Sequence, residues 1–425
     1  MNGPAGSHRT RAGTRGIEGS LIGLAIVFFT LAGSQGEPRP LEVFGLILIT
    51  PLVLVGTGLT RRPWIAALYL LLFGVLIRVY YLDRPLDSDV LPVTDAAIDR
   101  LLAGGNPYGP KYSVLPFLGP GNPYPYPPGN LLYYLPGFLY DSVRSTEVFS
   151  AGLVLAGLAW AAWLNRNDWP VATMGVYAAA PPLILLATDG SNDTSAGALL
   201  FASALLLFVS RRQSNGWLLF LSALVMGETL AFKQYTLPFW PFLVSYLAAQ
   251  PWSVRVPIGP NRPLSTPAWL LYMVASGAYV GAVGLPFFLA SPSAFIDSIT
   301  HLNRAIEGWN VWSFLLHWQA WNARVELGDT LLVAISVGIM GAGVASSLLV
   351  DVTRPSRALL FGAGLWFLVM LFARWTTYAY FAGVAPVVLL IPFADRLVEI
   401  PEVQVAEKGR GAAGLSPPTT VLQQE

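Results

Sequence analysis

The chain has 425 residues, of which 54% are hydrophobic and only 12% charged, with a mean hydropathy of +0.55; soluble domains carry about a quarter charged residues, so most of this chain must sit in lipid. It has no cysteine, which excludes a disulfide framework and a thiolate metal site. A formal charge of +1, with arginines scattered as singles and pairs, gives no case for nucleic acid.

In chain order, residues 1–16 hold Arg9, Arg11 and Arg15 but lead to no small-residue cleavage site, so they read as a disordered cytoplasmic tail rather than a signal peptide. A spanning helix needs about 20 mainly apolar residues. Spans are expected at 18–33, 41–60, 63–82, 145–164, 169–187, 193–210, 215–233, 235–249, 266–289, 329–350, 357–373 and 376–394. The apolar stretch 129–141 is short and interrupted by Pro136. If it does not cross, one face collects the N-terminal arginines, Arg61, Arg62, Arg166, Arg211, Arg212, Arg255, Arg262, Arg354, Arg357, Arg396, Lys408 and Arg410. Such clustering in short loops marks a cytoplasmic face. If it crosses, these clusters split. The expected fold is therefore an all-α polytopic bundle of about twelve spans, multi-pass in the plasma membrane, with both ends cytoplasmic. It forms one transmembrane domain, 17–394, followed by a disordered tail, 395–425. No internal repeat is visible.

This topology sends the polar segments outward. The outer loop 83–144 is dense in Asp, Pro, Gly and Asn, and its segment Val93 to Ala103 puts Val93, Ala97, Leu101 and Leu102 on one side. That spacing predicts a short amphipathic helix on the membrane surface, stopped by Gly104, Gly105 and Pro107. The Asp189 to Asp193 turn, Lys233-Gln234-Tyr235, the loop 290–328 and Arg374 to Tyr378 fall on the same face. Cytoplasmic loops carry little beyond Arg, and the spans read as nearly free of ionisable groups. Arg78 and Glu228 are the exceptions noted, open to a functional role or to pairing within the bundle.

These pieces, in this order, resemble the GT-C superfamily of membrane glycosyltransferases, and most closely glycosyltransferase family 87, whose members use polyprenyl-phosphate-linked sugars. The matching residues are Asp89 after a span, then Ala96-Ala97 and Leu101 to Tyr108; Tyr126-Pro127-Pro128-Gly129; Ser191-Asn192-Asp193; Phe232-Lys233-Gln234-Tyr235 with Pro238; and Leu285-Pro286-Phe287-Phe288. The resemblance covers residues 63–394. Two spans precede the usual first one, and Val90, Pro92 and Thr94 stand near the aspartate where aromatic residues are common.

The resemblance implies that Asp89 is the catalytic base of an inverting transfer, moving a sugar such as mannose from a polyprenyl monophosphate carrier to a lipid-linked or polysaccharide acceptor at the outer face. The chemistry agrees: a sugar hydroxyl is a poor nucleophile and must lose its proton as it attacks, while the lipid phosphate is already a good leaving group. Asp87, Asp95, Tyr126, Asn192, Asp193, Gln234, His301, Arg304 and Tyr378 are the further substrate-binding candidates, with Lys233 and Arg374 as cations for the phosphate. Each has a plainer alternative. Lys233 and Arg374 at span ends can snorkel to headgroups, His301 can be structural, and Asn192-Asp193 can simply cap a helix. Trp309, Trp312, Trp318, Trp321, Tyr124 and Tyr126 suit sugar stacking, but such rings populate any interfacial belt, which is the plainer reading. Asp-Ser-Asp at 87–89 has the form of a metal-binding pair, but neither metal nor other cofactor is assigned. The rival functions are a transporter or lipid-linked-sugar flippase, and an inactive scaffold.

Overall fold

The structure is a computed structural model that describes residues 63–114, 117–140, 142–165, 169–257, 263–300, 307–314, 329–373 and 375–399. The described chain is mostly helical. Its helices are α1 (Pro63–Tyr80), α2 (Val90–Leu102), α3 (Gly129–Leu139), α4 (Val143–Asn165), α5 (Trp169–Ala179), α6 (Pro181–Leu185), α7 (Asp193–Gln213), α8 (Gly216–Phe232), α9 (Trp240–Ala248), α10 (Ala268–Ala290), α11 (Pro292–Ile299), α12 (Asp329–Ser346) and α13 (Pro355–Phe372). Residues 378–398 follow as a run of short helical turns, and three two-stranded ribbons complete the described chain.

Among the described residues, six helices are long and apolar enough to cross a membrane: Trp64–Asp83, Val143–Leu164, Asp193–Gln213, Ala268–Ala290, Pro355–Phe372 and Tyr378–Val398. The other expected spans differ for local reasons. The stretch 169–187 breaks between α5 and α6, because Pro181 forces Ala180 into extended backbone at ψ 116. Pro238 and Pro241 cut 235–249 into a 3-10 segment, Gln234–Phe239, and the nine-residue α9. α8 and the apolar part of α12 are shorter than 18 residues. The expected spans 18–33 and 41–60, and both terminal tails, lie outside the described residues.

Helix α7 is the axle of the bundle, with nearly every side chain enclosed. In lipid no hydrophobic force pulls helices together, so close packing and interhelical hydrogen bonds must do so. Ser203 of α7 donates to the Ser222 carbonyl of α8 at 3.0 Å and Ser222 returns the bond at 2.7 Å. Tyr272 of α10 joins the same pair at 3.0 Å from Ser203.

α2 begins at Val90, earlier than the expected Val93, since Pro92 in the first turn forfeits an amide that has no helical partner anyway. Its buried stripe is Leu91, Val93, Thr94, Ala97 and Ile98, while Leu102 is 54% exposed. The expected face was therefore set about a residue too far along. Gly104, at φ 78, ends the helix as expected. α3 has 11 residues and so spans about 16 Å, half a hydrocarbon core. Its first residue, Gly129, lies against α8: a Cβ there would sit 2.7 Å from the Ala231 carbonyl oxygen.

Candidate functional site

The start of α2 is stitched to the turn before α7. Asp87 and Ser88 donate their amides to the Asp189 carbonyl at 2.9 and 3.1 Å, and Leu91 donates to that of Gly190 at 2.9 Å. Gly190 sits at φ 95, and a Cβ there would lie 2.8 Å from the Ser88 carbonyl oxygen. Only glycine allows both the conformation and the approach. This contact carries Asp89, from one loop, to the same end of the bundle as Asn192 and Asp193, from another.

Asp89 stands at the N-cap position of α2 without capping it. Instead its Oδ2 accepts from Asn122 Nδ2 at 2.9 Å, at an accessible position. Asp89 also lies within electrostatic reach of Tyr126. Burial pushes the Tyr126 phenol well above its ordinary range, and the charges of Tyr380, Asp193 and Asp89 add to the effect. Tyr126 is thus a neutral hydroxyl within electrostatic reach of Asp89.

The Tyr126 ring also lies against Lys233, which is only 3% exposed. Its Nζ donates to Asn192 Oδ1 at 2.6 Å and to Asp193 Oδ1 at 2.7 Å, and Tyr235 donates to the same Asp193 oxygen at 2.7 Å. The rings of Tyr126, Tyr235 and Tyr380 surround the ammonium at 5.4, 5.1 and 4.9 Å. Desolvated cation–π contacts of this kind contribute about 2 kcal/mol. Two of the three ammonium protons are therefore committed, and the charge is matched by Asp193. Lys233 is thus held in a buried ion pair with Asp193, and the Asn192 side chain makes no capping bond at the start of α7. Asn192 Nδ2 is buried with no partner among the described residues.

The other expected site residues are spread around this centre. Asp87 is exposed, Asp95 is half-buried on α2, and Gln234 is exposed beside the buried Lys233. Tyr378, 66% exposed, lies within electrostatic reach of Asp189 and Asp87. His301, Arg304, Arg374, Trp318 and Trp321 lie outside the described residues. Trp309 is stacked between Phe367 and Phe381, at 5.7 and 4.9 Å, and Trp312 is buried with its indole donating to the Phe372 carbonyl at 2.7 Å. Both are packing rings. Among the described residues no group of three or more His, Asp or Glu side chains could hold a metal ion.

The expectation that spans are nearly free of ionisable groups needs correction. Arg78 is fully buried on α1 and pairs with no carboxylate among the described residues; it donates to the carbonyls of Gly74 and Tyr177 at 2.7 and 2.9 Å and of Ala178 at 3.4 Å. It thereby satisfies the carbonyls freed where α5 breaks at Ala180. Glu147, four residues into α4, accepts from Tyr134 and from the Ser195 hydroxyl, and from the Ser195 amide at 3.1 Å. Its charge reaches Lys233. An acid inside an apolar span is a signal by position alone, and the sequence reading passed over it. Asn122, Tyr235 and Tyr380 were also missed as site residues.

No family profile, curated protein or solved structure matches this chain.

Proposed function

We propose that the chain is a polytopic inverting glycosyltransferase of the GT-C kind, with about twelve spans and its site at the outer face of the plasma membrane. One observation carries this reading: Asp89 and the Asn192, Asp193, Lys233 cluster, remote in sequence, are brought to one end of the bundle by the hydrogen bonds between residues 87–91 and 189–190, with Tyr126 against the Lys233 ammonium and within electrostatic reach of Asp89. Asp89 takes the proton of an acceptor hydroxyl as that oxygen bonds to the anomeric carbon, and the polyprenyl phosphate departs from the opposite face with the bonding electron pair. Asn122 orients the carboxylate. Because Asp193 already matches its charge, Lys233 offers the phosphate one N–H rather than a free cation, and Arg374, with Arg304 assisting, supplies the net positive charge. Asn192 Nδ2 is a further unused donor. The donor is a polyprenyl-phosphate-linked sugar, the acceptor a glycolipid or polysaccharide.

The test is transfer by the full-length protein in nanodiscs, over a panel of polyprenyl monophosphate sugars. Asp89→Asn is expected to lower turnover by roughly 10²–10⁴-fold while donor binding persists. Absence of transfer from every donor, or full activity in Asp89→Asn, overturns the reading. The transporter reading draws on a different observation, the broken helices at 169–187 and 378–398 beside a buried ion pair. Exchange of labelled lipid-linked sugar across proteoliposomes, insensitive to Asp89→Asn, would favour it.

A further inference from the structure

The chemistry above leaves Glu147 without a task, although it is buried within an apolar helix, where a carboxylate is costly unless it is well hydrogen-bonded. Its bonds go to two particular places. Oε2 accepts the Ser195 amide at 3.1 Å, and Oε1 accepts the Ser195 and Tyr134 hydroxyls. Ser195 is the third residue of α7, two beyond Asp193, and its amide is one of the four at a helix start that have no partner within the helix. An Asn at the N-cap position ordinarily accepts such an amide. Asn192 holds that position but makes no capping bond, its Oδ1 being taken by Lys233. Glu147 therefore caps α7 from another helix, while the residue in the capping place serves Lys233.

The second place leads to the other half of the ion pair. Tyr134, whose hydroxyl Glu147 holds, packs its ring on Phe232 with centroids 5.7 Å apart, and Phe232 ends α8 one residue before Lys233. Tyr133 packs on the same ring at 5.3 Å and is tied through Ser150 to Ser195 by two hydroxyl contacts of 2.8 Å. One carboxylate thus fixes the segment that carries Asp193 and, through an aromatic ring, the segment that carries Lys233.

We infer that Glu147 is a positioning residue for the Asp193–Lys233 pair, acting as a hydrogen-bond acceptor that sets the first turn of α7 against the end of α8. Its bearing on substrate rests on the glycosyl-transfer reading; the positioning itself does not. A buried acid here has two rival roles, packing of α4 on α7 alone and a second counter-charge to Lys233, which its charge reaches. The experiment separates all three.

The coupling between Lys233→Met and Asp193→Asn is measured as the non-additive part of their shifts in unfolding temperature, in full-length protein carrying Glu147, Glu147→Gln or Glu147→Met, all in one detergent. Gln keeps an oxygen for the Ser195 amide and turns its NH2 to the two hydroxyl oxygens, whereas Met has a similar volume and no oxygen. The coupling is expected to persist in Glu147→Gln and to fall by about half or more in Glu147→Met. A coupling equal in all three backgrounds, with only a constant loss of stability, would mean packing alone and would overturn the inference. An equal change in Glu147→Gln and Glu147→Met would mean charge, and would overturn it too. If Glu147→Met does not fold, Glu147→Asp, one methylene short of the Ser195 amide, takes its place with the same expected fall. The readout needs no turnover: absence of transfer from every donor overturns the functional reading, and the coupling still decides this one.

Discussion

Lys233 and Asp193 make the sharpest energetic prediction. Both are almost fully buried and joined at 2.7 Å, so either charge alone would be stranded in a medium that cannot solvate it. Lys233→Met leaves the carboxylate of Asp193 with the Tyr235 hydroxyl as its donor and removes the cation from three rings. Asp193→Asn leaves an ammonium that still has neutral acceptors and the rings. Removing one partner of a buried pair costs about 3–5 kcal/mol, and Lys233→Met is expected at the upper end. The double variant Lys233→Met, Asp193→Asn has no stranded charge, and Tyr235 keeps an amide oxygen to donate to. It is expected within about 2 kcal/mol of the parent, a coupling of at least about 4 kcal/mol. Thermal unfolding followed by tryptophan fluorescence in one fixed detergent measures all four proteins. Additive losses, or single variants within about 1 kcal/mol of the parent, would refute the premise that this pair is desolvated.

Three other outcomes follow from the same geometry. Burial pushes the Asp189 carboxyl up to about 6, against the hydrogen bonds from Ser191. Its folded pKa lies above its unfolded one, so its contribution to stability is full below about pH 4 and lost as pH rises through about 6. Asp189→Asn, which can keep the 2.8 Å bond from the Ser191 amide, should therefore raise the unfolding temperature at pH 7 and leave it nearly unchanged at pH 4. Arg78→Leu orphans the carbonyls at the α5 break and should cost about 2–4 kcal/mol, seen as a lower unfolding temperature and folded yield. Gly190→Ala, strained at φ 95 and crowded against Ser88, should cost about 1–3 kcal/mol and loosen residues 83–90. Limited proteolysis of that segment, unchanged from the parent, would count against the stitch.

Composition and hydrophobic runs by themselves determined a mostly helical chain with helices long and apolar enough to cross a membrane, and where most of those helices lie, because burying apolar side chains in lipid and satisfying the backbone within each helix are local requirements. Local chemistry also marked the glycine end of α2 and drew attention to Asp89, Asn192, Asp193 and Lys233 as polar groups at helix ends. It misjudged continuity at Pro181, Pro238 and Pro241, where one missing amide outweighs an apolar run. Only the tertiary structure decided what those polar groups do. Asn192 and Asp193 have the form of a helix cap until Lys233 arrives from 40 residues away to claim Asp193. Arg78 has the form of a functional cation until it is found closing a broken helix, and Glu147 escapes notice until Tyr134 and Ser195 converge on it. Partners of this kind are chosen by interhelical contact, which residue identity constrains but sequence spacing does not encode.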